Sequence, residues 1–218
     1  MLLQDLLELN WRGLLQDIVV FIPVVLVALS VHEFAHAWAA DALGDPTPRR
    51  QGRLTLDPRA HLDPAGALFF LVAGFGWGKP VQVDARRLAS PRRDMALVAA
   101  AGPFSNVALA LLAILAWDLV PMGALGDFGT RTFWLYVREF ILLDLLLALF
   151  NLIPIPPLDG SRLLMAVLPG RTAAAMARLQ PLLFALIAIG VFSGYLGRIL
   201  NPVLAVLAGW AGLLITHP

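Results

Sequence analysis

Ser30-Val31-His32-Glu33-Phe34-Ala35-His36 follows directly on an uncharged stretch, Ile18-Val19-Val20-Phe21-Ile22-Pro23-Val24-Val25-Leu26-Val27-Ala28-Leu29, and Ala37 to Ala40 continue its apolar character. The reading of this stretch decides the fold. On a helix, residues four apart stand on one face, one turn above the other, so His32 and His36 point the same way. Two imidazoles at that spacing can reach one zinc ion, and Glu33 then flanks the coordination position where a water molecule sits. Ionisable side chains inside a membrane helix are costly, and their presence points to function. The plainer alternative is a pair of helix histidines bonded to neighbouring helices, with Glu33 as their counter-ion.

Composition sets the class. Of the 218 residues, 59% are hydrophobic and 14% charged, with a mean hydropathy of +0.78. Soluble domains carry roughly 25% charged residues. A polytopic membrane protein follows, with the lipid bilayer as a partner. A net charge of +1 argues against nucleic acid as a partner, and the clustering of basic residues reads as topology. With no cysteine, disulfides and thiolate metal sites are excluded. A transition-metal site must therefore draw on the four histidines and the carboxylates. No cleavable signal peptide is expected at the start.

Residues 1–16 read as an amphipathic lead-in lying at the interface, with Leu2, Leu3, Leu6, Leu7 and Trp11 at helical spacing. The first span is expected from about Leu14 to Leu43, stopped by Gly44-Asp45-Pro46. Between Arg49, Arg50, Arg53, Arg59 and the later Lys79, Arg86, Arg87, Arg92, Arg93 lies the short apolar run Ala65 to Phe75. It is too short to span as a helix, and both flanks are basic, so it is expected to dip in and return on the cytoplasmic side. The tail Gly74 to Val83 reads as irregular or strand-like. A second span is expected from Met95 to Val120, kinked or restarted at Ala101-Gly102-Pro103-Phe104-Ser105-Asn106. A third runs from Thr132 to Leu152, and two more, Thr172 to Phe192 and Tyr195 to Ile215, form a hairpin at Ser193-Gly194. The expectation is thus an all-α polytopic membrane protein of about five transmembrane helices plus a short re-entrant or irregular segment. It forms a single domain over 1–218: the lead-in, a catalytic core over 17–168 and a C-terminal hairpin over 172–215. The Arg and Lys distribution brings the end of the His32–His36 helix and the Asp159 loop to the same cytoplasmic face.

Two histidines make an incomplete zinc site, since a catalytic one has three protein ligands plus water. Asp159 is a candidate third ligand, because it follows a proline-stiffened turn and precedes Gly160, which permits close backbone approach. His61, in Ala60-His61-Leu62-Asp63-Pro64, competes with it. Glu8 and Glu139, the glutamates a different zinc peptidase would need, fall near the opposite face and in the outer half of the third span.

His32-Glu33-Phe34-Ala35-His36 taken with Asn151-Leu152-Ile153-Pro154-Ile155-Pro156-Pro157-Leu158-Asp159-Gly160 resembles the site-2 protease family of zinc intramembrane metalloproteases. Gly52 to Pro58, His61 to Pro64, Gly76-Trp77-Gly78-Lys79-Pro80-Val81 and Ala101 to Asn106 are similar to its compact prokaryotic branch. The resemblance implies that His32, His36 and Asp159 hold one Zn2+ per chain, that Glu33 is the catalytic base and that Asn151 lies beside the scissile peptide. It implies hydrolysis of peptide bonds in single-span membrane-protein substrates near the cytoplasmic face of the cell membrane. No PDZ-like or nucleotide-binding segment is seen, so selection through such modules is not expected. Asp144 departs from the family, which more often has a neutral polar residue there. Two readings stay open for it: a lining of the substrate path or a water channel, or a protonated or hydrogen-bonded acid buried between helices. Asn106 is read as tying a helix break. A metal transporter would need polar residues along several spans, which the outer halves lack.

Overall fold

The computed structural model describes residues 10–11, 15, 17–66, 77–119 and 126–214. The expected lead-in and the apolar dip from Ala65 to Phe75 therefore lie largely outside the described residues. Within them the chain is helical, and the one β feature is an isolated antiparallel bridge between Leu62 and Gly78. A π-helical turn (Asp17–Phe21) leads into α1 (Ile22–Ala42). Short helices α2 (Thr47–Arg50) and α3 (Pro58–His61) and a 3-10 turn (Ala85–Arg87) precede α4 (Pro91–Leu119) and α5 (Gly126–Asn151). Then come α6 (Asp159–Val167), α7 (Gly170–Arg178), α8 (Gln180–Phe192) and α9 (Tyr195–Leu214).

Two of these helices are long and apolar enough to cross a membrane, over Ile18–Ala42 and Pro91–Trp117, or three if the bent pair α7–α8 is counted as one span. The protein is thus an all-helical membrane protein. α5 has the length but carries Arg138, Glu139 and Asp144 within its last eighteen residues, which lowers its hydropathy. The fourth expected span is not a continuous helix: α7 and α8 meet at a 58° bend. Pro181, in the first turn of α8, explains the break, because proline lacks the N–H that would continue the hydrogen-bond ladder across Leu179. The second span, by contrast, continues as helix through Pro103 and does not restart there. Neighbouring helices hold it in place, as they do for prolines in membrane helices. α8 and α9 pack on each other around Ser193-Gly194, with Gly194 turning at φ 69°, a left-handed conformation that glycine adopts without steric cost.

α4 is the central helix, packed on α1, α5 and α6. Many of the buried residues at these seams are small, among them Ala28, Ala37 and Ala40 from α1 and Ala99 and Ala110 from α4, with Val98, Ile141 and Leu143 filling the space between them. Apolar surroundings supply no hydrophobic driving force between helices, so close backbone approach through small residues is what binds them. Leu111, Leu112, Leu115 and Leu119 face outward on α4, as a lipid-facing surface requires. At the Arg-rich end of the bundle, residues 44–66 and 77–88 form a layer stitched by polar groups. Buried Arg53 donates to the carbonyls of Ala60, Lys79 and Pro80. Asp57 and Asp84 are held below the usual carboxylate range by hydrogen bonds from Arg59 and Arg86.

Asp45, fully buried, accepts from the Thr47 backbone N–H at 3.0 Å, the Thr47 hydroxyl at 2.5 Å and the Asp84 N–H at 2.7 Å. Asp45→Ala strands these donors. The expected cost is about 1–3 kcal/mol, read as a lower melting temperature in detergent, whereas Asp45→Asn recovers part of it. An unchanged Tm in Asp45→Ala would contradict this account of the layer.

Candidate metal centre

His32 and His36 stand on adjacent turns of α1, and Asp159 opens α6 after the Pro154–Pro157 turn. The structure brings these three together: one ligand atom from each lies within 4.8 Å of the others. The two Nε2 atoms are 3.0 Å apart, and each is 3.2 Å from Asp159 Oδ2. Their rings are nearly perpendicular, at 89°. All three side chains are buried or nearly so.

The donor chemistry fits a cation. His36 Nδ1 lies 2.7 Å from the Val98 carbonyl oxygen, which can only accept, so the ring proton sits on Nδ1 and Nε2 presents a lone pair. His32 Nδ1 lies 2.6 Å from Asn106 Oδ1, with the same result. Three lone-pair atoms then face one another, and buried Asp159 Oδ2 has no hydrogen-bond partner. In a tetrahedral zinc site with bonds of about 2.1 Å, ligand atoms lie about 3.4 Å apart. The observed edges match that triangle to within a few tenths of an ångström.

Around this cluster is a cavity of about 1000 Å3 lined by His32, Glu33, His36, Asn151, Asp159 and Arg162 together with a long apolar wall. Glu33 is outside the three-atom group; its Oε2 accepts from the Val81 backbone N–H at 3.1 Å. That contact holds the carboxylate at the cavity edge. Asn151, at the end of α5, donates one N–H to the Leu147 carbonyl at 3.0 Å and keeps its second. His61 is not a member of the metal-competent group. Its Nε2 sits 2.7 Å from the Thr55 carbonyl, and its own carbonyl accepts from Lys79 N–H at 2.7 Å, so it braces the layer. Asp144 is fully buried and outside the cavity lining, bonded to Asn106 at 2.6 Å. Gly102 escaped the sequence reading: a Cβ added there would overlap the His36 ring and come within 2.6 Å of His32 Cε1. The Gly102-Pro103 pair was visible, but a glycine needed for side-chain clearance looks like any other glycine.

Comparison with known proteins agrees with this geometry. A Bacillus subtilis (strain 168) protein named “Putative zinc metalloprotease YwhC” is 42% identical over 160 residues, 72% of this chain and 72% of the relative. This chain belongs to the site-2 protease family. Rip2 of Mycobacterium tuberculosis (strain ATCC 25618 / H37Rv), which carries the same description, is 37% identical over 167 residues, 72% of this chain and 62% of the relative. Rip2 of Mycolicibacterium smegmatis is 30% identical over 188 residues, 82% of this chain and 70% of the relative. No family model and no solved structure matches.

For this member of the site-2 protease family, the clearance at Gly102 gives a direct check. Gly102→Ala is expected to displace the paired rings and weaken zinc binding at least about tenfold, in line with the sensitivity of metal sites to ligand orientation. Zinc content after dialysis against a graded chelator series measures it. Wild-type retention in the variant would show that the rings have room to spare.

Proposed function

We infer that the chain is a zinc-dependent intramembrane endopeptidase that hydrolyses peptide bonds in or beside transmembrane helices of single-span membrane proteins. The observation that carries this reading is the meeting of His32, His36 and Asp159 at one point, beside Glu33, within a cavity whose wall, Asn151 and Arg162 apart, is mainly apolar. His32, His36 and Asp159 are the residues that would hold the zinc ion. Zinc bound there supplies Lewis-acid polarisation of a peptide carbonyl and acidifies a water molecule. Glu33, one residue from a ligand and steadied by Val81 N–H, would take a proton from the water that attacks the peptide carbonyl and pass it to the leaving amine as the C–N bond breaks. Asn151 has an N–H left to donate to the substrate backbone or to the oxygen on which charge develops.

The reading extends to topology. His36 lies six residues before the end of α1, about 9 Å along the axis, at the end of the bundle that carries the arginines. The positive-inside bias puts that end in the cytoplasm of a cell-membrane protein. Five spans follow if α1, α4, α5, the bent α7–α8 pair and α9 all cross, with 17–168 as the catalytic core of a single domain. A helical substrate hides its carbonyls in its own hydrogen bonds, so substrates with helix-weakening residues near the cytoplasmic side are preferred.

Two substitutions test the reading. Glu33→Gln is expected to keep its zinc and lose cleavage of a single-span reporter by about 100-fold or more. Asp159→Ala is expected to lose both the metal and the activity. Full cleavage by a zinc-loaded Glu33→Gln protein would remove Glu33 from the mechanism. Equal cleavage of a rigid poly-Leu helix and one carrying Gly and Pro would remove the proposed substrate preference.

A further inference from the structure

Asn106 and Asp144 are each fully buried, on α4 and α5, and neither takes part in the proposed peptide hydrolysis. Asn106 has a donor end and an acceptor end, and what surrounds it decides which way it faces. Its Nδ2 lies 2.6 Å from Asp144 Oδ1 and 3.3 Å from the Ala28 carbonyl oxygen. Both neighbours are acceptors, so the amide nitrogen is fixed on that side and Oδ1 is left facing His32 Nδ1 at 2.6 Å. Turned over, the amide would set its oxygen against two acceptors and its NH2 against His32. The ring would then have to accept at Nδ1 and carry its proton on Nε2, pointed at Asp159 where a metal must sit.

We propose that Asp144 is a positioning residue of the metal centre, acting through Asn106 to fix the His32 tautomer and so offer the Nε2 lone pair to the ion. The proposal rests on His32, His36 and Asp159 being the zinc ligands. Among the described residues Asp144 has no cationic partner, and its second oxygen, Oδ2, has no hydrogen-bond partner. Burying an acid in this way is expensive, and the one interaction set against that cost is the bond to Asn106. The Ala28 carbonyl is the longer of the two contacts, so Asp144 dominates the choice of orientation. The relay also crosses three helices, from α5 through α4 to α1. A carboxylate or carbonyl that orients a ligating histidine from behind is a recurrent feature of zinc sites; here the orienting acid stands one residue further back.

The polarity of the relay can be reversed, and that gives the test. Zinc affinity of the full-length protein in detergent is measured by chelator competition, with the metal-free Tm recorded for each variant. Asp144→Leu and Asn106→Asp are each expected to bind zinc about 10–100-fold more weakly, the second because it sets two carboxylates face to face. Asp144→Asn keeps an acceptor oxygen for Asn106 and is expected to stay within about threefold of wild type. The double variant Asn106→Asp/Asp144→Asn restores the order of donors and acceptors along the relay, with only the longer Ala28 contact left unmatched: the carboxylate at 106 accepts from His32 and from the amide at 144. Its affinity is expected to recover to within about threefold to fivefold of wild type, which a loss of packing alone would not produce. A double variant no tighter than Asn106→Asp overturns the proposal, and so does a folded Asp144→Leu protein with wild-type affinity. Should Asp144→Leu fail to fold, the single and double variants at 106 decide the matter alone. Failure of the wild-type protein to bind zinc sinks the metal assignment itself, whereas wild-type binding with indifferent variants sinks only the relay.

Discussion

Three acceptor atoms held within 3.2 Å of each other, away from bulk water, form the constraint on which the rest of this molecule depends. Such a cluster repels itself when all three carry lone pairs; a cation joining it would offset that repulsion, provided the scaffold resists relaxation. Resistance comes from several directions. Each imidazole is anchored from behind by an acceptor on α4, the Val98 carbonyl for His36 and Asn106 for His32. The carboxylate is delivered by a turn whose prolines leave little freedom, and Gly160 after it lies against the Leu152 and Ile153 carbonyls, where no side chain fits.

How much of this could be read from the chain itself depended on what kind of interaction was involved. His32 and His36 were legible because a helical period turns a four-residue interval into a shared face. Asp159 was legible as a ligand candidate because proline and glycine around it announce a rigid turn, and His61 stood beside it as a rival. The structure sets the two apart through contacts with the Thr55 carbonyl and the Lys79 N–H, backbone groups that carry no residue-specific mark. The same holds for the Val98 carbonyl and the Val81 N–H that serve His36 and Glu33. Asn106 was noted only for its place near a proline, since its bond to His32 joins residues 74 apart in the chain.

Apolarity also concealed as much as it revealed. It identified α1 and α4 directly, but it drew one span across Leu179, where α7 and α8 bend by 58°. It made Pro103 look like a boundary, although packing on both sides carries the helix through. For α5 the acidic residue that blurs the membrane pattern, Asp144, is satisfied by Asn106 on the neighbouring helix. A charge that appears misplaced along one helix acquires its reason only when a second helix is beside it.

The clearance at Gly102 has a consequence for traffic. Because even a single added carbon there would strike the histidine rings, the seam between α1 and α4 is shut to anything the width of a polypeptide. Among the described residues, the cavity at this site is walled by Phe21, Leu29, Leu147, Phe184, Ile187 and Leu200. Phe184, Ile187 and Leu200 come from the terminal pair α8 and α9, so helices far along the chain from both histidines complete the wall of the chamber.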